Sequence, residues 1–317
     1  MPRARCSTTS STAHAELTSA DSAETGLSDR SPATAPLGRR WLIGTVLAAF
    51  LLTFLQAPGQ TVADTKYDLA QNPLGFLARA AHLWSSQAPM GQVQNQAYGY
   101  FFPHGAFFSL GHWLGLPAWV TQRIWWALLL LAGFWGIVRL CETLGIGSRG
   151  SRVIAATAFA LSPRVLTTLG SISSETLPMM LAPWVLLAPA ALGAALTRRR
   201  TAAPGQPTHE GRGTTPPSPI PWRGATSPAA SAFALALMGS VNAVATAAAF
   251  LPAALWWASY KPNALWWRFT RAWIPLLALA TCWWVVPLLL LGRVSPPFLD
   301  YIESAGVTTQ WASLAEV

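Results

Sequence analysis

The chain has 317 residues, of which only 10% are charged, and its formal net charge is +9. An average soluble domain has roughly 25% charged residues, so this composition excludes an ordinary soluble enzyme and is typical of a membrane protein. The arginines cluster beside hydrophobic segments instead of along one amphipathic face, so we expect no nucleic-acid partner. The three cysteines lie far apart and predict neither a disulfide framework nor a zinc site.

Residues 1–40 form the first predicted segment. They are rich in Ser, Thr and Ala and contain few large apolar side chains. Such a segment buries too little apolar surface to offset the entropy lost on ordering, so we predict a disordered cytoplasmic tail. Arg39 and Arg40 end this tail directly before the first hydrophobic segment.

Residues 41–57 are apolar and long enough to cross a bilayer. A signal peptide is the alternative, but the preceding region is long and no A-x-A cleavage site follows. We therefore predict a retained helix whose N-terminus is cytoplasmic, because arginines beside a span mark that side. The polar run ADTKYDL, residues 63–69, then emerges on the outside.

Residues 58–116 form the predicted first external loop. Asn72 and Pro73 are typical of a helix start. Leu74, Leu77 and Trp84 then recur at helical spacing, with polar residues between them. This pattern predicts an amphipathic helix that lies in the membrane interface.

The later part of this loop, residues 92–108, combines amides and a histidine with many aromatic rings. Such side chains are typical of a sugar-binding site, and four of them are substrate-binding candidates: Gln94, Asn95, Tyr98 and His104. Aromatic residues are equally typical of the belt that proteins place at the membrane surface. Both interpretations stay open from the sequence.

Two further spans are predicted over residues 117–140 and 153–169. Arg123 lies near one end of the first, where a long side chain can reach the membrane surface. Arg164 lies about 18 Å along the second from its cytoplasmic end, and an arginine at that depth is costly unless it is paired. Arg164 is therefore a functional candidate, unless Pro163 ends the helix early and the side chain simply reaches the surface.

The remaining chain is predicted to cross the membrane twice more and to enter it once. Glu175 falls in a short external turn, and residues 177–196 return to the inside. Residues 197–231 are rich in Pro, Gly, Thr and Arg and predict a low-complexity cytoplasmic linker. Residues 273–291 then cross outward, which leaves residues 293–317 outside.

Residues 232–257 are long enough for a single crossing, but basic residues follow them as well as precede them. Both ends are therefore expected on the inside. A hairpin of two half-helices, broken around Gly239, Ser240 and Asn242, reconciles these charges. We predict this hairpin in preference to one continuous helix.

The acidic residues beyond the tail fall mostly on the predicted external side: Asp64, Asp68, Glu175, Asp300, Glu303 and Glu316. A carboxylate there can accept the proton of an attacking hydroxyl group, and a nearby cation can hold the phosphate of a lipid-linked sugar. Asp64 and Asp68 are thus the catalytic candidates. Lys66, Arg164 and Glu175 join the substrate-binding candidates.

Several blocks of sequence are similar to one known family: ADTKYDL, NPLGFLARAAHLW, QNQAYGYFFPHGAFF, SPRVLTTLGSISSETLPMMLAPW, GSVNAVAT and VSPPFLDYIESAGVTTQW. With these blocks the chain resembles the actinobacterial cell-wall α-(1→3)-arabinofuranosyltransferases, which are polytopic glycosyltransferases of the GT-C class. The resemblance implies transfer of arabinofuranose from decaprenyl-phosphoryl-arabinose to the arabinan of arabinogalactan or lipoarabinomannan. It also implies a catalytic base on the first external loop, at Asp64 or Asp68, and Lys66 as a partner of the phosphate.

The fold expected from these observations is an all-α polytopic membrane protein in the plasma membrane, with its active site on the outer face. Family members are much longer, so residues 41–317 are expected to form the N-terminal part of a GT-C helix bundle, and the remainder of a longer or split enzyme is an expected partner. Two external carboxylates can hold a divalent cation, but no ligand spacing predicts a metal site. A transporter or flippase of a lipid-linked sugar is the alternative function.

Overall fold

The computed structural model describes residues 36–64, 66–85, 92–93, 97–201, 224–239 and 241–294. The α-helices in these ranges are α1 Arg39–Phe54, α2 Tyr67–Gln71, α3 Pro73–Ala80, α4 Ala106–Trp113, α5 Ala118–Leu144, α6 Arg149–Ala160, α7 Pro163–Leu169, α8 Ser173–Thr201, α9 Pro228–Ala236, α10 Ala243–Ala258 and α11 Ala264–Val294. Two short strands, β1 Trp84–Ser85 and β2 Gln92–Val93, pair antiparallel. The predicted helical membrane protein is thus confirmed.

Three of these helices are long and apolar enough to cross a membrane: Ala118–Leu144, Ser173–Arg198 and Ala264–Arg293. Helix α1 has 16 residues and is therefore only about 24 Å long, shorter than the predicted span. The predicted third span is divided into α6 and α7 at Ser162, because Pro163 begins a new helix. Of the two alternatives that the sequence left open, the structure shows the one in which the helix ends before Pro163.

Helices α5 and α8 form the centre of the bundle. Gly133 and Gly136 of α5 lie against Met180 and Trp184 of α8, where a larger side chain has no room. The indole N–H of Trp184 donates to the carbonyl of Ala132 at 2.8 Å. Small residues let two apolar helices approach closely, which is how helices associate in lipid.

Helices α9 and α10 form the predicted hairpin and pack along α8. Three contacts fix their direction: Ser231 with Val185, Asn242 with Glu175, and Tyr260 with Gly193. The turn between the two helices therefore lies beside the first turn of α8, and both helices run from it toward the other end of α8. A single continuous crossing is excluded.

Gly239 makes the turn of this hairpin. Its φ of +68° is in the left-handed region, where a residue with a Cβ is strained. A Cβ at this position would also lie 3.3 Å from the carbonyl oxygen of Phe102 and 3.4 Å from that of Gly99. Asn242 then begins α10 by accepting a hydrogen bond from the N–H of Ala245 at 3.0 Å.

The predicted external loop contributes to the core. Asn72 caps α3 by accepting from the N–H of Gly75 at 3.0 Å, as its position before Pro73 predicts. However, α3 ends at Ala80, and its buried face is Phe76 and Ala80. The predicted helical pattern does not continue to Trp84, which lies in β1. Leu74 and Trp84 are both more than half exposed, as the lipid-facing side of an interfacial helix is.

The ends of two predicted polar segments are structured. Leu37, in the segment predicted as a tail, is buried, and its N–H donates to Glu142 at 3.1 Å. In the predicted linker, α8 continues to Thr201, and α9 begins at Pro228. Residues 1–35, 202–223 and 295–317 lie outside the described residues, and so do the predictions made for them.

Candidate functional site

A small pocket lies where the segment after α1 meets the first turns of α5 and α8. Its polar lining consists of Asp64, Lys66, Tyr100, His104, Gln122 and Ser173. The cavity has a volume of about 10 Å³, which is about the room for one water molecule. Three residues that the sequence analysis selected, Asp64, Lys66 and His104, are thus brought together.

Asp64 is held by the start of α8. Its Oδ1 accepts from the N–H of Ser173 at 2.8 Å, and its Oδ2 accepts from the Ser173 hydroxyl at 2.5 Å. The first N–H groups of a helix have no partner within the helix, and the helix dipole favours a negative charge there. Asp64 itself has a φ of +48°, so its backbone is strained to bring the carboxylate to this position.

Helix α5 helps to position both Ser173 and the segment that carries Asp64. The amide of Gln122 donates to the carbonyl of Val62 at 2.9 Å and accepts from its N–H at 3.0 Å. The indole N–H of Trp125 donates to the hydroxyl of Ser173 at 3.3 Å. Gln122 and Ser173 were not among the site residues predicted from the sequence. The indication available for Gln122 was an amide in a predicted span that is otherwise almost entirely apolar.

His104 also lines the pocket and is 2% exposed. Neither ring nitrogen has a hydrogen-bond partner among the described residues. Its ring lies 4.6 Å from the ring of Trp125 and 5.6 Å from that of Tyr100. Burial lowers the pKa of His104 to about 3, so the imidazole is neutral near pH 7 and offers one donor and one acceptor. His104 thus lies inside the protein and not at its surface, and its role as a substrate-binding residue stays a prediction.

The second catalytic candidate, Asp68, points elsewhere. Its Oδ2 forms an ion pair with Arg79 Nη2 at 2.6 Å, and both side chains are close to half exposed. Asp68 does not line the pocket. An exposed pair of this kind contributes little to stability, so its role here is to join α2 and α3 on the surface.

Arg164 and Glu175 form a separate polar cluster. Arg164 Nη2 lies 3.0 Å from Glu175 Oε2, and the amide of Asn242 donates to Glu175 Oε1 at 3.1 Å. Arg164 is in the first turn of α7, and 64% of its side chain is exposed. Pro163 thus starts a new helix, and Arg164 is both paired and near the surface. The cluster joins α7, α8 and the hairpin.

The other sequence candidates are less informative. Gln94 and Asn95 lie outside the described residues. Tyr98 is half-buried, and desolvation raises the pKa of its phenol, but it does not line the pocket. Among the described side chains, no three His, Cys, Asp or Glu residues converge as metal ligands would, so a divalent cation stays a prediction.

Arg123 does not extend to the surface as its position predicted. It is 1% exposed, its Nη2 donates to the carbonyl of Gln60 at 3.2 Å, and its guanidinium lies 4.2 Å from the ring centre of Trp126. The prediction was wrong because the segment after α1 folds back over α5 and gives the guanidinium an internal acceptor.

Comparison with known proteins places the chain in a family. Residues 48–317 match a family described as alpha-(1->3)-arabinofuranosyltransferase, N-terminal GT-C domain. The chain is 59% identical over 283 residues to an alpha-(1->3)-arabinofuranosyltransferase of Mycobacterium tuberculosis, an alignment that covers 89% of this chain and 19% of the relative. An alpha-(1->3)-arabinofuranosyltransferase of Mycolicibacterium smegmatis is 61% identical over 274 residues, with 85% and 17% covered.

A solved structure agrees with these relatives. The cryo-EM structure of arabinofuranosyltransferase AftD from mycobacteria is similar to this chain with a TM-score of 0.72 and 59% identity, over 86% of this chain and 19% of that one. The chain thus spans less than a fifth of the length of the relatives it matches. The sequence match and the shared fold lead to one conclusion. The chain belongs to the alpha-(1->3)-arabinofuranosyltransferase family, in which it corresponds to the N-terminal GT-C domain.

Proposed function

We propose that this chain carries the catalytic base of a membrane glycosyltransferase that moves arabinofuranose from decaprenyl-phosphoryl-arabinose to the arabinan of arabinogalactan or lipoarabinomannan. The names of the relatives, which are arabinofuranosyltransferases, support arabinofuranose as the transferred sugar. The observation that carries the proposal is the position of Asp64, which lines a pocket with Lys66 and the buried, neutral His104. A carboxylate beside a neutral imidazole suits proton transfer from a sugar hydroxyl.

Asp64 is the base in this proposal. The acceptor hydroxyl oxygen forms a bond to the anomeric carbon of the arabinose, while the bond from that carbon to the phosphate oxygen breaks. The electron pair leaves with decaprenyl phosphate, and Asp64 takes the proton of the hydroxyl group. Both oxygens of Asp64 accept hydrogen bonds from Ser173, which orient the carboxylate.

The other pocket residues bind and orient the substrates. Lys66 is exposed and lies two residues from Asp64, where an ammonium group can pair with the leaving phosphate. His104 offers one donor and one acceptor to a sugar hydroxyl. Positive charge builds on the anomeric carbon as the phosphate leaves, and the carboxylate of Asp64 stabilises it.

The pocket must widen before it can hold a sugar. Its volume is about 10 Å³, whereas ligand pockets are typically about 300 to 1,000 Å³. The segment between α1 and α2 is the wall best placed to move, because it is a largely exposed loop that hydrogen bonds from Gln122, Arg123 and Ser173 hold to the helices.

The proposed location is the plasma membrane, with the N-terminus in the cytoplasm and the pocket at the outer face. Arg39 and Arg40 at the start of α1 support this orientation. No observation among the described residues favours the flippase alternative.

The proposal is tested with the complete protein in membranes, labelled decaprenyl-phosphoryl-arabinose and a synthetic arabinan acceptor. Asp64→Asn should lower the transfer rate by about 100-fold or more, because a general base contributes roughly that factor. Asp68→Asn is the matched control on the same loop and should change the rate by no more than a few-fold. Full transfer by Asp64→Asn, or movement of the donor between leaflets without sugar transfer, contradicts the proposal.

A further inference from the structure

An apolar groove lies between α1, α5 and α6, separate from the pocket of Asp64. Its walls include Ala48, Ala49 and Leu52 of α1, Leu130 and Phe134 of α5, and Ala160 of α6. Its volume is about 150 Å³, and it opens on the surface of the bundle. An apolar cavity of about this size excludes water and accepts apolar guests.

Helix α1 packs against α5, and two of its contacts flank the groove. The rings of Phe54 and Trp119 lie 5.8 Å apart at one end, and Trp135 donates to the hydroxyl of Thr45 at 3.1 Å at the other. Between these contacts Ala48 and Ala49 of α1 line the groove, and their short side chains leave its space unfilled. The gap faces the middle of α5, a candidate membrane-spanning helix, where hydrocarbon is the surrounding solvent.

A buried cation lies above this groove on the same face of α5. Arg123, Ala127, Leu130 and Phe134 follow each other at intervals of four, three and four residues, which places them on one side of a helix. Arg123 is about 11 Å along the helix from Leu130. One stripe of α5 thus has a charged end and an apolar stretch, as an amphiphilic lipid does.

Arg123 lacks an anionic partner in the described part of the chain. Its only hydrogen bond there goes to the carbonyl of Gln60, and its Nε and Nη1 have none. The ion pairs formed by described residues use Arg79, Arg139 and Arg164 instead. A buried guanidinium without a counter-charge is unfavourable, so this position is suited to an anion.

We propose that the groove and Arg123 together bind the lipid part of the donor, a polyprenyl monophosphate ester, with the isoprenoid chain in the groove and the phosphate at Arg123. The inference rests on the proposed function. Gln122, which is adjacent to Arg123 on α5, lines the pocket of Asp64. A sugar attached to a phosphate at Arg123 is therefore close enough to enter that pocket.

The segment over Arg123 is suited to being displaced by the phosphate. Ala57 and Asp64 both have positive φ values, +39° and +48°, and residues without glycine's freedom are strained there. The carbonyl of Gln60 accepts from Arg123 Nη2. A phosphate oxygen takes over this bond when the segment shifts, and the charged acceptor makes it stronger.

The test uses the complete protein in lipid nanodiscs and three photoreactive probes. The first is a polyprenyl monophosphate with a diazirine on its chain, the second is the matching neutral polyprenol, and the third is a phosphatidylglycerol with a diazirine on an acyl chain. Mass spectrometry maps the labelled peptides. We expect the polyprenyl phosphate to label residues 45–52, 130–134 or 157–161 at least ten-fold more than the phospholipid, and unlabelled polyprenyl phosphate to compete.

Two pairs of variants test separately how the isoprenoid chain and the phosphate of the probe are bound. Ala48→Trp fills the groove and should lower labelling at least ten-fold, whereas Leu47→Trp, at a neighbouring position that is 65% exposed, should leave it unchanged. Arg123→Gln should raise the polyprenyl phosphate concentration for half-maximal labelling at least ten-fold without affecting the polyprenol. Arg123→Lys keeps the charge and should recover most of the binding. A loss of labelling by both probes in Arg123→Gln would indicate a structural role and overturn the phosphate contact.

Equal labelling by the phospholipid overturns the inference, because it shows that the groove holds bulk lipid. No labelling of these three segments also overturns it, because the polyprenyl phosphate then binds to another part of the protein. The Asp64→Asn variant keeps the two proposals apart. It should label like the wild type, so a failed transfer assay with normal labelling contradicts only the function. Failed labelling with an Asp64-dependent transfer contradicts only the lipid site.

Discussion

Asp64 and His104 line the same pocket but differ in their hydrogen bonds. The carboxylate is bound by the N–H and the hydroxyl of Ser173, and this bond connects a loop to a helix 109 residues later. His104 is buried without a hydrogen bond among the described residues. A buried polar group without a partner destabilises the folded state, and retaining one in a pocket is typical of a group that meets a ligand.

The buried imidazole of His104 predicts a pH dependence of stability. Burial lowers its pKa from 6.5 to about 3, so below pH 6.5 the unfolded chain binds a proton that the folded chain does not. The stability contribution is fully present above that pH and is lost as the pH falls toward 3. From about pH 7 to about pH 5 we expect a loss of about 2 kcal/mol, measured as a fall in Tm in detergent.

Replacing the imidazole removes this dependence. His104→Gln, which does not titrate, should flatten the change of Tm over the same range, whatever its effect on Tm at neutral pH. His112→Gln is the control, because His112 is exposed at the end of α4. If wild type and His104→Gln lose stability in parallel, His104 is not buried in its neutral form.

At the level of elements, the hairpin of α9 and α10 depends on Gly239. Gly239→Ala places a Cβ in the left-handed region and against two carbonyl oxygens. The backbone strain alone is about 1–2 kcal/mol, so we expect a lower Tm. The alanine should also reduce any transfer activity, since the turn lies next to the segment that carries His104.

Gly44→Ala is the matched control for this substitution. Gly44 lies within α1, and no atom lies within 4 Å of the position that a Cβ would take there. Alanine is favoured over glycine inside a helix by about 1 kcal/mol, so the variant should keep or raise the Tm. Equal stability of Gly239→Ala and wild type would show that the turn does not need glycine.

The sequence predicted most helices but not all of their faces. Arginine clusters, proline and the Asn-Pro cap are local features, and they correctly placed the hairpin, the break at Pro163 and the start of α3. The buried face of α3 depends on what packs against it, and Tyr100, which packs edge-on to Phe76, is 24 positions along the chain. Local periodicity does not carry that information.

Local sequence patterns also predicted only some of the residues of the site. Asp64, Lys66 and His104 were found because polar groups are scarce in this chain. Ser173 and Gln122 were missed, since their roles depend on contacts 109 and 60 positions away. The sequence did not decide between the two carboxylates, which are four residues apart. In the structure Asp64 lines the pocket and accepts from Ser173, whereas Asp68 pairs with Arg79 on the surface.

For the whole molecule, the proposed orientation is tested by cysteine labelling. In a variant whose native cysteines are replaced by alanine, Val62→Cys should react with a membrane-impermeant maleimide in intact cells. Ala258→Cys should react only after permeabilisation, because the hairpin returns α10 to the cytoplasmic side. Val62, in the segment between α1 and α2, and Ala258, the last residue of α10, are both exposed. Labelling of position 258 in intact cells contradicts this orientation.

The first turn of α8 joins parts of the bundle that are far apart in sequence. Ser173 binds Asp64 of the loop after α1, and two residues later Glu175 binds Arg164 of α7 and Asn242 of the hairpin. One helical turn thus acts as a mechanical junction. If the loop moves to admit a sugar and pulls on Ser173, the same displacement reaches α7 and the hairpin turn, so we expect the pocket and the hairpin to move together.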